Sequence, residues 1–497
     1  MLSEYWKQFK SGTDIRAVAM DGVDGEPCTL TDEVVERIIA AFACWLSEKA
    51  GKSCAELTVS VGRDSRLSGP RIRDAVARAL SACGIRVLDC GLSSTPAMFM
   101  TTIDLGCDGA VQITASHHPW HRNGLKFFLP NGGIEGSDVT AILEKAQVGE
   151  KPTPAAGVIE KVPYMVQYAS RLRELIVKES DNGEKPLSGM HIVVDAGNGA
   201  GGFYASEVLA PLGADISGSQ FLDPDGSFPN HIPNPENPDA MASVCAAVKA
   251  VNADLGVIFD TDVDRAGCVD ADGREINRNR LVALASAIAL EGNEGGTIVT
   301  DSITSTGLKS FIEKTLGGVH CRFKRGYKNV INEALRLNAE GINAPLAIET
   351  SGHAALRDNY FLDDGAYLST KIIIKAVQLG KVGKTLDDLI AALPEPAEGR
   401  EIRYTITEPD FKVYGERVLH DLETYAAEQG WQVADDSREG VRVSFPKDNG
   451  DGWFLLRLSV HDPVMPLNVE SDTAGGCDII LSQLAPFIEK QTALRRK

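Results

Sequence analysis

Short apolar runs that end in polar or glycine-rich loops recur along the chain, and helical patterns follow them. LTVSVGRDSR (57–66) empties into a charged loop before the helix-like RIRDAVARALSAC (71–83). GAVQITASHH (109–118), HIVVDAGNGAG (191–201), LGVIFDTDVDR (255–265), GTIVTDSITS (296–305) and APLAIETSGH (344–353) repeat the form. Continuous apolar strands alternating with helices predict parallel or mixed sheets covered on both faces. In such folds the polar residues just beyond strand C-termini line ligand crevices. The repeated design implies related α/β units, although no fixed-period repeat is present. Beyond about residue 400 the pattern changes: WQVAD (431–435), VRVSF (441–445) and GWFLLRLS (452–459) read as strands, and 474–491 as a closing helix. That tail is expected to form a smaller α+β domain. Pro/Gly-rich stretches at GEKPTPAAG (149–157) and PEPAEGR (394–400) fit domain boundaries, and DNGEKPLSG (181–189) fits a surface loop. A further boundary is expected after ADGREINRNR (271–280). The expected domains are therefore 1–157, 158–275, 276–396 and 397–497.

Composition adds limits. A chain of 497 residues, 43% hydrophobic and 24% charged, can build several buried cores and is neither disordered nor collagenous. Lys plus Arg total 50 against 69 Asp plus Glu, a net charge of −19. Such a chain is a poor general binder of nucleic acid or anionic membrane, although a local basic pocket can still hold a phosphate. The ten cysteines (Cys28, Cys44, Cys54, Cys83, Cys90, Cys107, Cys245, Cys268, Cys321, Cys477) contain no CxxC pair, which argues for buried thiols in a reducing compartment. The start, MLSEYWKQFKSGTDIR, has no apolar h-region, and LVALASAIAL (281–290) is too short to span a bilayer. A cytoplasmic protein is expected.

Four segments can carry chemistry. Asp260-Thr261-Asp262-Val263-Asp264-Arg265 follows an apolar strand, and three carboxylates at alternate positions can converge on one hard cation such as Mg²⁺ or Mn²⁺. An EF-hand fails, because Arg265 and Ala271 stand where Gly and Glu are needed. A solvated acidic turn is the bland alternative, and Arg265 beside the triad favours a phosphate site. Ser116 in Thr114-Ala115-Ser116-His117-His118-Pro119 is a candidate nucleophile or phosphoryl carrier, with no G-x-S-x-G elbow around it and a plain polar loop as the equal alternative. An Asn123-Gly124 turn is expected to bring Lys126 into the same space. Zinc at His117, His118 and His121 lacks a completing ligand. Glu349-Thr350-Ser351-Gly352-His353 offers acceptors and donors for adjacent sugar hydroxyls, and His353 can transfer protons near neutral pH. Arg457 and Ser459 can share one phosphate, and Arg16 in Ser11-Gly12-Thr13-Asp14-Ile15-Arg16 is a further loop arginine.

Taken in this order, TDIR, TASHHP with NGLK, DTDVDR, ETSGH and RLS…P…NVE resemble the α-D-phosphohexomutase family, closest to its phosphomannomutase/phosphoglucomutase branch. GRDSRLSG (62–69), STPAMF (94–99) and PDGSFPNHIPNP (224–235) support the match. The resemblance implies four domains around a central cleft: three related α/β units with mixed sheets and a smaller C-terminal α+β domain that grips phosphate. It implies that Ser116 bears the transferable phosphoryl group and that Asp260, Asp262 and Asp264 hold Mg²⁺ together with Ser116. It further implies that Glu349 and Ser351 bind the sugar's 3- and 4-hydroxyls and that Arg457 and Ser459 clamp the distal phosphate. Arg16, His117, Lys126, Arg265 and His353 fall where the family handles protons and stabilises charge. The implied reaction interconverts the 1- and 6-phosphates of mannose or glucose through a hexose 1,6-bisphosphate, which also serves as activator. Partners are then small hexose phosphates, with no nucleic acid or membrane, in a monomer or small homo-oligomer.

The chain departs from the family pattern in places. His118 stands for the usual Asn, and Thr261 for a Gly in the acidic loop. Val460, His461 and Asp462 replace polar clamp residues, and Pro466 sits where an Arg is common. At low pH His461 is a candidate substitute cation. Phosphoglucosamine mutase is the alternative within the family. A non-catalytic sugar-phosphate-binding homologue and a metal-dependent phosphatase are the alternatives outside that activity.

Overall fold

Residues 1–459 and 462–496 are described by a computed structural model. Val460 and His461, and with them the expected role of His461, lie outside the described residues. The chain divides into two compact units: Met1–Asn277 with Ser351–Asp387, and Arg278–Thr350 with Asp388–Lys497.

The first unit contains two sheets. In the larger, Lys10–Ser11, Asp14–Val18, Arg122–Leu129, Gly109–Ile113, Thr58–Arg63, Arg86–Leu92 and Ile159–Lys161 lie side by side in that order. The last four run parallel, and the strands on the Arg122–Leu129 side run antiparallel. The mixed sheet follows from sequence: Gly109–Ile113 is buried at every position and needs cover on both faces. Helix Gly69–Ala82 supplies part of that cover. Its Ile72, Ala75, Val76, Ala79 and Leu80 recur at helical spacing and are buried, and Pro70 stands in its first turn, where no intrahelical N–H is lost. Helix Thr95–Asp104 starts at Ser94, whose Oγ accepts from Ala97 N at 3.3 Å.

The smaller sheet orders Glu275–Ile276, Ala266–Val269, Leu255–Phe259 and Ile192–Asp195, the last two parallel. A short antiparallel pair, Ala354–Leu356 with Leu362–Asp363, leads into helix Gly365–Gly380, which packs on helix Tyr164–Ser180.

In the second unit, Thr297–Thr300 runs parallel to Val319–Arg322 and Leu346–Ile348. Its other sheet is entirely antiparallel: Gln432–Val433, Val441–Phe445, Gly452–Leu456, Val464–Ser471, Glu398–Ile406, Leu494–Arg496. Helices Phe411–Glu428 and Gly476–Lys490 bury their apolar stripes against it, forming one core with Phe454, Leu456, Leu467 and Val469. Three α/β portions and a C-terminal α+β portion are thus present; the pattern of runs predicted α/β units with an α+β tail, and the family resemblance implied that the α/β units number three. The ten cysteines are free thiols. Among the described residues, no helix is long and apolar enough to cross a membrane.

Candidate active site

Ser116 lies just past the strand Gly109–Ile113, in left-handed backbone at φ 50. Its N–H donates to Thr114 Oγ1 at 2.9 Å, and its own Oγ donates to Asp260 Oδ2 at 3.0 Å. His117 Nδ1 stands 3.2 Å from the same Oγ. Burial, then the charges of Arg265, His118 and Arg16, holds His117 well below the usual histidine range, so the ring is neutral at ordinary pH. Burial and the surrounding arginines likewise push His118 down to about 3.

The expected Asn-Gly turn is not where the chain reverses. The reversal is made by Ser116–His121, with His118 N bonded to Ala115 O at 3.1 Å, and Asn123-Gly124 lies inside the strand Arg122–Leu129. Glycine is required there by close approach, since a Cβ on Gly124 would lie 2.1 Å from Ile15 O. Lys126 nevertheless reaches the acidic loop: its Nζ pairs with Asp264 Oδ2 and lies 3.4 Å from Asp262 Oδ2.

Asp260, Asp262 and Asp264 occupy the exit of the buried strand Leu255–Phe259, and one oxygen from each falls within 4.8 Å of the others. The loop bends at Val263, whose φ of 66 is strained for a β-branched residue. Gly365 N, at the start of helix Gly365–Gly380, holds it by donating to Val263 O at 3.0 Å. Gly199 lets its own segment close on the backbone of Thr261; a Cβ on Gly199 would lie 2.6 Å from Thr261 O. Burial and the two neighbouring carboxylates push Asp260 well above the usual range. Burial would raise Asp264 too, but Lys126 and His353 outweigh it and hold that carboxyl low. Among the described residues, Asp262 Oδ1 and Asp264 Oδ1 are buried without a hydrogen-bond partner. Convergent, unsatisfied carboxylate oxygens fit a hard divalent cation.

Arg265 Nε donates to His353 Nε2 at 3.1 Å, and His353 Nε2 lies 3.5 Å from Asp264 Oδ1. Ser351 Oγ is 3.0 Å from His353 Nδ1, so this serine bonds the histidine as well as being a sugar-site candidate. Arg16 pairs with Asp14 at 2.7 Å on the strand opposite Gly124. Within the first unit, then, Ser116, His117, Lys126, the three aspartates, Arg265, His353 and Ser351 form one linked cluster.

The second unit holds Glu349, Arg457 and Ser459. Glu349 Oε1 accepts from Gly326 N at 2.6 Å, and Gly326 sits at φ 117, a conformation open to glycine. Arg457 Nη1 is 3.7 Å from Glu439 Oε1, while Glu439 Oε2 accepts from Arg325 N at 2.9 Å and from Ser302 Oγ at 2.7 Å. Arg457 N donates to Pro466 O at 3.1 Å, and Asp462 N donates to Ser459 Oγ at 3.3 Å. Gly326, Ser302 and Glu439 were missed by sequence reasoning. GTIVTDSITS carried a strand-exit signal for Ser302 and KRGYKN a glycine signal for Gly326; Glu439 carried none.

Three family models match the chain in order: phosphoglucomutase/phosphomannomutase alpha/beta/alpha domains I, II and III, at residues 12–152, 167–273 and 277–397. A phosphomannomutase/phosphoglucomutase of Pseudomonas aeruginosa is 31% identical over 465 residues, 92% of this chain and 91% of that protein. A phosphoglucomutase of Neisseria meningitidis is 30% identical, covering 96% and 97%. The crystal structure of a phosphoglucomutase/phosphomannomutase family protein from Burkholderia thailandensis superposes with a TM-score of 0.80 at 30% identity, covering 99% of this chain and 98% of that one. With the acidic loop and the serine turn in place, these likenesses show that the chain belongs to the phosphoglucomutase/phosphomannomutase family, an isomerase family of phosphotransferases.

Proposed function

We propose that the protein is a Mg²⁺-dependent phosphohexomutase that interconverts the 1- and 6-phosphates of mannose or glucose through phospho-Ser116 and a hexose 1,6-bisphosphate. The observation that carries this reading is the contact of Ser116 Oγ with Asp260 Oδ2 at 3.0 Å, beside Lys126 and the other two aspartates. Phosphoryl transfer needs in-line positioning and neutralisation of the charge on the equatorial oxygens. A divalent cation held by Asp260, Asp262 and Asp264, with Ser116 as the further ligand, supplies that neutralisation when bound.

The chain's own groups do the rest. Lys126 adds a fixed positive charge at the same place, and Arg265 and Arg16 extend it. His117, kept neutral, stands 3.2 Å from the Ser116 oxygen, close enough to exchange a proton with it as that oxygen loses or regains its phosphoryl group. His353 is held between Arg265 and Asp264 as a second proton carrier. Phospho-Ser116 gives its phosphoryl group to the 6-hydroxyl of a hexose 1-phosphate: the bond from phosphorus to Ser116 Oγ breaks as the bond to the sugar oxygen forms, the hydroxyl's proton passes to a neighbouring base, and Ser116 Oγ takes up a proton in turn. The bisphosphate turns over, its other phosphate returns to Ser116, and the hexose 6-phosphate departs. In this reading Glu349 and Ser351 take the sugar's hydroxyls, and Arg457 with Ser459 takes the distal phosphate. Domains 1–157, 158–275, 276–396 and 397–497 then carry the serine, metal, sugar and distal-phosphate functions, in a cytoplasmic enzyme activated by hexose 1,6-bisphosphate.

The test is phosphorus NMR of the protein with Mg²⁺, a trace of glucose 1,6-bisphosphate and, in turn, glucose, mannose and glucosamine 1-phosphates. A 6-phosphate signal from glucose or mannose that vanishes in Ser116→Ala is expected. Turnover of glucosamine 1-phosphate alone would reassign the enzyme as a phosphoglucosamine mutase, and release of free phosphate as a phosphatase.

A further inference from the structure

Arg66 lies in the charged loop after the strand Thr58–Arg63, and its side chain is completely buried. Its guanidinium is committed to one short stretch of backbone. Nη1 donates to Pro119 O at 2.8 Å and Arg122 O at 2.9 Å; Nη2 donates to His118 O at 2.6 Å and to Ser116 O. Its Nε lies 3.3 Å from Asp64 Oδ2, and its backbone N–H donates to Asp64 Oδ1 at 2.9 Å. Asp64 N in turn donates to Ile113 O at 3.0 Å, on the last residue of the strand that leads to Ser116. The Phe228 ring covers the guanidinium, its centroid 5.3 Å from Cζ. Gly226 lets that covering loop close on the backbone, since a Cβ there would lie 2.4 Å from Leu67 N.

Three carbonyls of the turn and that of Arg122, the first residue of the strand after it, therefore converge on a single planar cation. Pro119 O also accepts from Arg122 N at 3.0 Å, whereas the carbonyls that rely on Arg66 would incur a desolvation penalty if left unpaired in the interior and would favour a different turn. The turn also contains Ser116 in left-handed backbone, which a residue other than glycine keeps only when its surroundings hold it there. The bond from Arg66 to Ser116 O fixes that peptide plane, leaving Oγ aimed at Asp260. A lysine carries one ammonium with three tetrahedral donors and cannot serve four carbonyls spread across a fork.

We propose that Arg66 is a positioning residue for the phosphoryl-bearing turn, holding Ser116 in the geometry in which its Oγ meets the acidic loop. The proposal rests on the reading of Ser116 as phosphoryl carrier.

The test uses the full chain and the variants Arg66→Lys, Phe228→Leu and Ser116→Ala. For Arg66→Lys the expectation is wild-type circular dichroism, KM within about threefold and kcat lower by roughly 100-fold, the loss that a misplacement of about 1 Å produces. Uptake of the phosphoryl group from glucose 1,6-bisphosphate, read by intact mass, should slow by the same factor. Phe228→Leu keeps all the hydrogen bonds and should lower kcat by about threefold to tenfold at unchanged KM. Folded Arg66→Lys with wild-type kcat and wild-type uptake overturns the proposal. Should Arg66→Lys fail to fold, Phe228→Leu decides, and an unchanged kcat there overturns it. Failure of the Ser116 reading has a different signature: the wild type takes up no phosphoryl group and Ser116→Ala stays active.

Discussion

A buried carboxylate stays ionised only where cations or donors surround it, and Asp264 and Glu470 fall on opposite sides of that condition. Asp264 has Lys126 and His353 against it and is held low. Glu470 lies on the strand Val464–Ser471 opposite Trp453, and its Oε2 has no hydrogen-bond partner among the described residues. Burial pushes its carboxyl up to about 7, with Arg442 and Trp453 only partly offsetting it. An unfolded glutamate titrates near 4.5. Below that pH both states are neutral, and Glu470 costs nothing. Between about 4.5 and 7 the unfolded chain ionises while the folded one does not, so this residue lowers stability as pH rises; above 7 the loss is complete. At roughly 1.4 kcal/mol per pH unit the loss approaches ~3 kcal/mol. Glu470→Gln should therefore match the wild type near pH 4.5 and exceed it increasingly up to pH 8, as urea denaturation at each pH would read. A constant difference across that range would sink the assignment. Residues of this kind are hard to find in a sequence. Asp260, Asp262 and Asp264 were readable because their spacing on one strand exit is local. Arg66 was not, because its Ser116 partner is 50 positions away, and Glu439 was not because its role depends on tertiary packing.

The elements carry the acidic loop as much as its own residues do. Helix Gly365–Gly380 begins against the loop: Gly365 N bonds Val263 O, and a Cβ on Gly365 would lie 2.5 Å from Arg265 O. Since those contacts are backbone, the intruding methyl can be accommodated only by moving the strained turn at Val263. Gly365→Ala should lower stability by about 1–3 kcal/mol, the usual cost of overpacking, and reduce kcat at least tenfold. Gly380, the last residue of the same helix, has nothing within 4 Å of a built Cβ. Gly380→Ala should be neutral or stabilising by up to about 1 kcal/mol with unchanged kcat, through helix propensity alone. Thermal melts and kcat for the pair separate a general helix effect from a loop effect; equal behaviour of the two would refute it. Neither role for glycine was visible in the sequence, although the elements themselves were. The closing helix expected at 474–491 is Gly476–Lys490, and the strand expected at 441–445 is Val441–Phe445. The short strands Ile159–Lys161 and Leu494–Arg496 carry no clear alternation and are strands because a sheet edge recruits them.

Across the whole molecule the chemistry divides as the contacts do. The serine turn, the three aspartates, Lys126, Arg265 and His353 all belong to the unit formed by Met1–Asn277 and Ser351–Asp387, while Glu349, Arg457 and Ser459 belong to the other. The order of motifs along the chain was legible without the structure; this partition was not, because the chain changes unit between Thr350 and Ser351, inside a single motif. The division has a thermodynamic consequence. A ligand that binds only the folded form stabilises whatever opens with its site, by about 2.7 kcal/mol at a concentration 100 times its dissociation constant. Three buried carboxylates, two of them with an unsatisfied oxygen, can hold a metal ion, and in the function proposed above that ion is Mg²⁺. Hydrogen exchange with and without saturating Mg²⁺ should therefore slow by up to about 100-fold for the most protected amides of 1–277 and 351–387. Amides of 278–350 and 388–497 should change little, and Asp262→Asn should abolish the difference. Equal slowing in both units would mean that they open together, and no slowing in an enzyme that still needs Mg²⁺ would move the metal away from Asp260, Asp262 and Asp264.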